Sequence, residues 1–141
     1  MLVLFTDLLD DIRLAIKNIK ERLDKKKNTV YTKTGSATRV SGQYVTLCTI
    51  SGLPVGKYLV LANTQASINR SDLTIVSILE CNAKCDLYYG IMRGTMSAGG
   101  GVSGFGLLTV NSAGGSVTLQ SYGFSPSYTL YGNLLAIRLV D

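Results

Sequence analysis

The sequence has no histidine and no tryptophan. Without histidine it lacks the usual general base, the usual metal ligand and the one side chain that titrates unperturbed near neutral pH. Cysteine occurs only at Cys48, Cys81 and Cys85. Cys48 lies in an alternating apolar run and reads as a buried small hydrophobe. Cys81 and Cys85 bracket Asn82-Ala83-Lys84, a hairpin-turn signal. They can face each other, and free thiols are the expectation for a protein made in a reducing compartment, with a disulfide left open. A zinc site needs more ligands than this pair and there is no Cys-x-x-Cys, so no metal or other cofactor is expected. Long apolar runs are also missing. No stretch approaches the ~20 residues of a transmembrane helix. Met1-Leu2-Val3-Leu4-Phe5 is too short for a signal-peptide core, has no basic flank and is followed by Asp7, Asp10 and Asp11. Synthesis in a cytosol without Sec export or membrane insertion is expected.

Carboxylates become scarce after residue 28, where only Asp72, Glu80, Asp86 and Asp141 remain. A glycosidase needs two carboxyl groups facing each other across ~5–9.5 Å. Glu80 and Asp86 flank the hairpin turn and read as solvated charges, so no enzyme is expected. The net charge of +5 is not concentrated in a nucleic-acid patch. Residues 1–28 carry seven Lys/Arg against five acids, and residues 29–141 carry seven against four. The one basic cluster, Lys25-Lys26-Lys27, ends a helical pattern, where cations complement the helix dipole. It lacks interleaved aromatics. The glycine-rich run Gly94–Gly106 lacks the Lys-Ser/Thr and the helix of a phosphate loop, and reads as a flexible surface loop.

What is present begins with a heptad seam. Leu2, Phe5, Leu9, Ile12, Ile16, Ile19 and Leu23 are separated by alternating steps of three and four residues. Leu2, Leu9, Ile16 and Leu23 fall at a, and Phe5, Ile12 and Ile19 at d. Leucine at a with isoleucine at d disfavours two-stranded coils and favours trimers or tetramers. Leu8 and Ala15 at g widen the stripe, as they would in a helix docked on another protein or on its own domain. A self-associating coil of ~33 Å at 1.5 Å per residue is the preferred reading over docking. Arg13 and Lys20 at e and Arg22 at g have no acidic partners at flanking positions, so charge pairing does not drive assembly.

After Asn28 the period changes to that of strands. Glu and Lys thin out while Gly, Ser, Thr, Val, Leu and Tyr rise. Strands are expected at Val30–Lys33, Gln43–Ile50, Lys57–Asn63, Asp72–Cys81, Cys85–Arg93, Val102–Asn111, Ser116–Tyr122 and Leu134–Val140. Ser51–Gly56, Asn69–Ser71, Asn111–Gly115, Ser125–Ser127 and Gly132-Asn133 read as separators. Eight short strands predict a mainly β chain: an antiparallel jelly-roll β-sandwich over 29–141, preceded by a coiled-coil helix over 1–28. In the last strand Leu135, Ile137 and Leu139 point one way, and Leu134, Ala136, Arg138 and Val140 the other. A strand apolar on both faces is covered on both. The second set, with Leu134, Ala136 and Val140, is therefore expected at a subunit interface.

The chain also resembles trimeric phage fibre and receptor-binding proteins with a TNF/C1q-like jelly-roll head. The residues that carry the resemblance are Gly56-Lys57-Tyr58-Leu59-Val60, similar to the G-x-Y-x-V strand of such heads, and Gly132-Asn133-Leu134-Leu135-Ala136-Ile137-Arg138-Leu139 at the close. Between them lie the hairpin Leu73–Cys81 and Cys85–Ile91 and a glycine-rich connection. The resemblance covers about residues 43–141. It implies three chains with the last strand near a threefold axis, and no catalytic residues.

Recognition is expected in the aromatic stretch from Tyr122 to Tyr131. Tyrosine joins a flat apolar face to a hydroxyl, which suits sugar rings and protein surfaces. Tyr122 and Tyr128 are the candidates for exposure, while Phe124 and Tyr131 are read as plugs of the sandwich end. Arg70 and Arg93, at strand ends, would donate hydrogen bonds to a glycan or carboxylate. The expected function is a non-enzymatic homotrimeric virion fibre protein whose head binds a host-surface glycan or protein. The alternatives are a head fibre or decoration protein docked on a capsid, tail or baseplate through its N-terminal helices, and, least favoured, a glycan-acting enzyme.

Overall fold

The computed structural model describes residues 2–25, 29–38, 40, 42–68, 73–88, 91–96, 101–123 and 128–139, with only the backbone of 2, 3, 23–25, 73, 91–96 and 123. Among these residues it is mainly β, with one helix, α1 (Leu2–Lys25), and nine strands. The strands are β1 (Val30–Thr38), β2 (Val45–Leu53), β3 (Gly56–Ala66), β4 (Leu73–Cys81), β5 (Cys85–Tyr88), β6 (Ile91–Met96), β7 (Val102–Val110), β8 (Gly115–Gly123) and β9 (Thr129–Leu139). The chain divides into a helical unit and a β unit, with the boundary between Asn28 and Thr29. No described helix is long and apolar enough to cross a membrane.

The β unit is a sandwich of a larger sheet, in the order β1-β9-β3-β7-β5, and a smaller sheet, in the order β2-β8-β4-β6. All pairings are antiparallel. Odd-numbered strands lie in one sheet and even-numbered strands in the other. The pairs β1·β9, β2·β8, β3·β7 and β4·β6 are those of one long hairpin folded at β5. Rolling that hairpin up adds β9·β3, β8·β4 and β7·β5. This is the jelly-roll way of forming two sheets from one antiparallel ribbon.

Alternation decides what fills the sandwich. Tyr58, Val60 and Ala62 of β3, Leu108 and Val110 of β7, Val117 and Leu119 of β8, and Leu130, Leu134 and Ala136 of β9 all point inward and are buried. Tyr58 donates its hydroxyl hydrogen to the Pro54 carbonyl at 2.7 Å, so this fully buried side chain keeps its polar end satisfied. A hydroxyl cluster crosses the core. Ser77 Oγ of β4 donates to Thr64 Oγ1 of β3 at 2.9 Å and lies 3.0 Å from Ser121 Oγ of β8. All three side chains are fully buried, so they satisfy one another where water cannot.

Several sequence separators turn out to be strand interiors. β1 runs past Gly35 to Thr38, and β9 starts at Thr129 and runs through Gly132-Asn133. The two glycines face each other in register. A Cβ on Gly35 would run into the Leu47 carbonyl group, and one on Gly132 would lie 2.7 Å from Leu47 Cβ. They are glycines because β2 approaches closely there, not because the strands break. A register shift between Thr46 and Cys48 puts both Leu47 and Cys48 into the core and leaves Thr46 and Thr49 outside it. Ser51–Leu53 likewise still belongs to β2, and Gly56 already to β3.

The expected strand Cys85–Arg93 is two strands in opposite sheets, because one continuous strand cannot pair with β7 and β4 at once. The glycine-rich run is not one loop: its ends lie in β6 and β7, and residues 97–100 fall outside the described ones. The tight return into β8 does need a glycine, since Gly114 has φ +90°.

Ser77→Ala should destabilise the fold by about 1–3 kcal/mol, because Thr64 and Ser121 lose a buried partner. Replacing all three together (Thr64→Val, Ser77→Ala, Ser121→Ala) should recover much of that loss. Urea unfolding midpoints of the two variants check this.

Candidate functional site

A jelly roll has two outer faces, and here they differ in chemistry. On the larger sheet, Val30, Ile137, Leu59, Leu107 and Tyr88 form one row across β1, β9, β3, β7 and β5. Leu135, Leu61 and Phe105 form the next row, ended by Thr32. Phe105 is 52% exposed, Leu107 42% and Leu61 39% in the single chain. Polar rows border this band. Thr34, Asn133, Asn63 and Ser103 lie on one side, with Asn63 Nδ2 donating to Ser103 Oγ at 2.8 Å. Lys57, Thr109 and Asp86 lie on the other, in a row that also holds Leu139, and Asp86 accepts from Asn111 Nδ2 at 2.8 Å. A shallow hollow of 530 Å³ opens between Thr32, Leu61, Asn63, Ser103 and Leu135. A contiguous apolar band inside a polar rim is the pattern of a surface that another protein covers.

The last strand faces the opposite way to the expectation. Leu134 and Ala136 are buried in the sandwich core, so they cannot meet another chain. The outward residues are Leu135, Ile137 and Leu139. Both faces of this strand are apolar, so alternation alone did not say which was inside. Val140 lies outside the described residues.

The outer face of the smaller sheet is polar at one end and aromatic at the other. Ser116, Thr118, Gln120 and Tyr122 project from β8 between buried neighbours. Thr118 pairs in register with Thr49 and Glu80, and Gln120 with Thr46 and Ile78. The Thr49 and Thr118 hydroxyls are 2.9 Å apart. Thr46, Thr49, Glu80, Ser116, Thr118 and Gln120 line a depression of 300 Å³. At the far end the rings of Tyr44 and Tyr122 lie 5.6 Å apart at 56°. Tyr44 is half-exposed and carries no sequence signal beyond its position beside a strand.

Of the residues expected in recognition, Tyr122 lies on this face, partly exposed. Arg93 shares its row, since both pair with Val76; two strand spacings of ~4.8 Å separate the backbones. The side chain of Arg93 is outside the described residues, as are Arg70 and Phe124 altogether. Tyr128 is corrected: it is 5% exposed and belongs to the core. The chain resumes β structure at Thr129, whose amide bonds Ser67 Oγ at 3.0 Å, and this closes Tyr128 under the corner. Tyr131 does not plug the sandwich end but faces outward from β9, about half exposed.

Glu80 and Asp86 project from opposite outer faces, so this pair cannot act across one cleft. Among the described residues no three His, Cys, Asp or Glu side chains gather as a metal site. All three cysteines are free thiols. Burial pushes the Cys48 thiol above its ordinary value of 9.0, with Lys33 pulling the other way. Burial also raises Cys81, helped by Cys85, Asp86 and Glu80. Both thiols are therefore poor nucleophiles at neutral pH.

The fold holds these two thiol protons more tightly than the unfolded chain does. Their contribution to stability is present below the ordinary thiol value of 9.0 and is lost as pH rises through the raised folded values. The urea midpoint should fall between pH 8 and pH 10.5, and Cys48→Ala with Cys81→Ser should flatten that fall. A thiol reagent at pH 7.5 should modify Cys48 only after unfolding.

No protein-family model matches the chain, and no curated protein matches it in sequence. What the two faces do has to follow from their own chemistry.

Proposed function

We propose that the protein is a homotrimeric fibre-type virion component whose heads adhere to a host surface. The observation that carries this reading is the apolar band on the larger sheet, because it asks for a protein cover and has a polar rim to align one. The helix supports the same reading. Phe5, Leu9, Ile12, Ile16 and Ile19 are 38–63% exposed in the single chain. An exposed seam of this chemistry gains stability by facing copies of itself. Leucine at a and isoleucine at d disfavour the two-stranded case, and the resemblance to phage heads favours three chains over four. Each head then covers the band of a neighbour through Leu135, Ile137 and Leu139, together with Leu61, Phe105 and Leu107. The coil registers the chains, and the polar face of the smaller sheet stays free to meet the host surface.

A structural role on the virion is the second reading, favoured by the same exposed seam, which also suits docking in a groove of a capsid, tail or baseplate protein. The Arg13–Asp10 contact, 3.8 Å and solvated, adds little to the helix in either case.

Light scattering should give about 45 kDa, three times the 15.1 kDa of one chain. Phe105→Glu with Leu61→Gln should lower that mass while the β circular-dichroism signal is kept. Thr118→Glu, on the opposite face, should leave it unchanged. A mass of one chain for the unaltered protein would sink the proposal.

A further inference from the structure

We propose that the outer face of the smaller sheet is a binding groove for a neutral saccharide, running along β8 from Ser116 to Tyr122. This rests on the adhesive reading and gives its ligand a chemical class and a place. Three observations point to it. The first is the lining. Thr46, Thr49, Thr118 and Gln120 offer hydroxyl and amide groups that both donate and accept, as a sugar hydroxyl does. The Thr49–Thr118 pair at 2.9 Å holds two of these hydroxyls in place before any ligand arrives. The second is the aromatic end. Tyr44 and Tyr122, with rings 5.6 Å apart and tilted by 56°, place aromatic ring faces beside the polar groove, on one of which a sugar can lie. A pyranose has the matching split: an apolar C–H face that lies on a ring and hydroxyl edges that bond to the sides. The third is charge. Among the described residues that line the depression, Glu80 is the only oxygen acid and none is a cation. A carboxylated or sulfated sugar seated there would meet a carboxylate without a counter-charge, whereas a neutral sugar can donate two hydroxyl hydrogens to it.

The backbone makes this face possible. The β2 bulge turns Leu47 and Cys48 inward together, so Thr46 and Thr49 both face out and widen the polar surface beside β8. From Ser116 to Tyr122 the strand spans ~20 Å at ~3.4 Å per residue, which is room for several sugar rings in line. The volume of 300 Å³ belongs to an open groove for part of a chain and not to a pocket that encloses a whole ligand.

The test uses the full chain on a printed array of neutral, aminated, sialylated and uronic-acid oligosaccharides, followed by calorimetry with the best neutral one. The expected result is binding to a neutral oligosaccharide that persists in 0.5 M salt. Tyr122→Ala and Gln120→Ala should each weaken it about tenfold or more, while Tyr122→Phe retains it. Mass in solution and circular dichroism should not change in these variants. Undiminished binding in both alanine variants would overturn the site. Binding confined to sialylated or uronic-acid glycans and lost in salt would overturn the ligand class. If the protein adheres to host cells but binds no array glycan, the groove fails and the adhesive reading stands. If it neither adheres nor binds, both fail.

Discussion

Two sheets share one core only if they can approach, and here Leu47 lies close over the facing glycines Gly35 and Gly132. Any side chain on either glycine would press on β2. Around this point β1 and β9 stay paired along their length, β2 bulges, and the rolled hairpin closes. The same bulge sends Leu47 and Cys48 inward and Thr46 and Thr49 outward. One local constraint thereby shapes both the core and the polar outer face.

The two outer faces of the sandwich differ in chemistry. The larger sheet carries an apolar band with a polar rim, which suits a permanent protein cover. The smaller sheet carries hydroxyls, an amide, one carboxylate and a pair of tyrosine rings, which suit a reversible polar ligand. The buried hydroxyl trio of Thr64, Ser77 and Ser121 joins the sheets between them with its polar groups satisfied.

Much of the fold was legible from period and punctuation. The helix, most of the strands, the turn at Asn82-Ala83-Lys84 and the mainly β sandwich all follow from hydrophobic spacing and turn residues. The misreadings share a cause. Gly35 and Gly132 look like breakers, but they serve close packing between strands distant in sequence. Tyr128 looks like a loop aromatic because its burial depends on a corner tied by Ser67, far from it in the chain. Leu134 and Ala136 look no more inward than Leu135 and Ile137, because both sets are apolar. Tyr44 gave no signal at all, since its ring partner Tyr122 is brought to it by the pairing of β2 with β8.

By itself the sequence determined the class of the protein: a heptad helix joined to an antiparallel β unit, with no histidine chemistry and few carboxylates in the β unit. Those are properties of spacing and composition, which act over a few residues. Only the tertiary structure decided which apolar face is core, that Glu80 and Asp86 lie on opposite faces, and that Tyr122, Gln120, Thr118 and Glu80 share one. Those are properties of register between strands distant in the chain. A shift of one residue in that register turns every side chain to the other face.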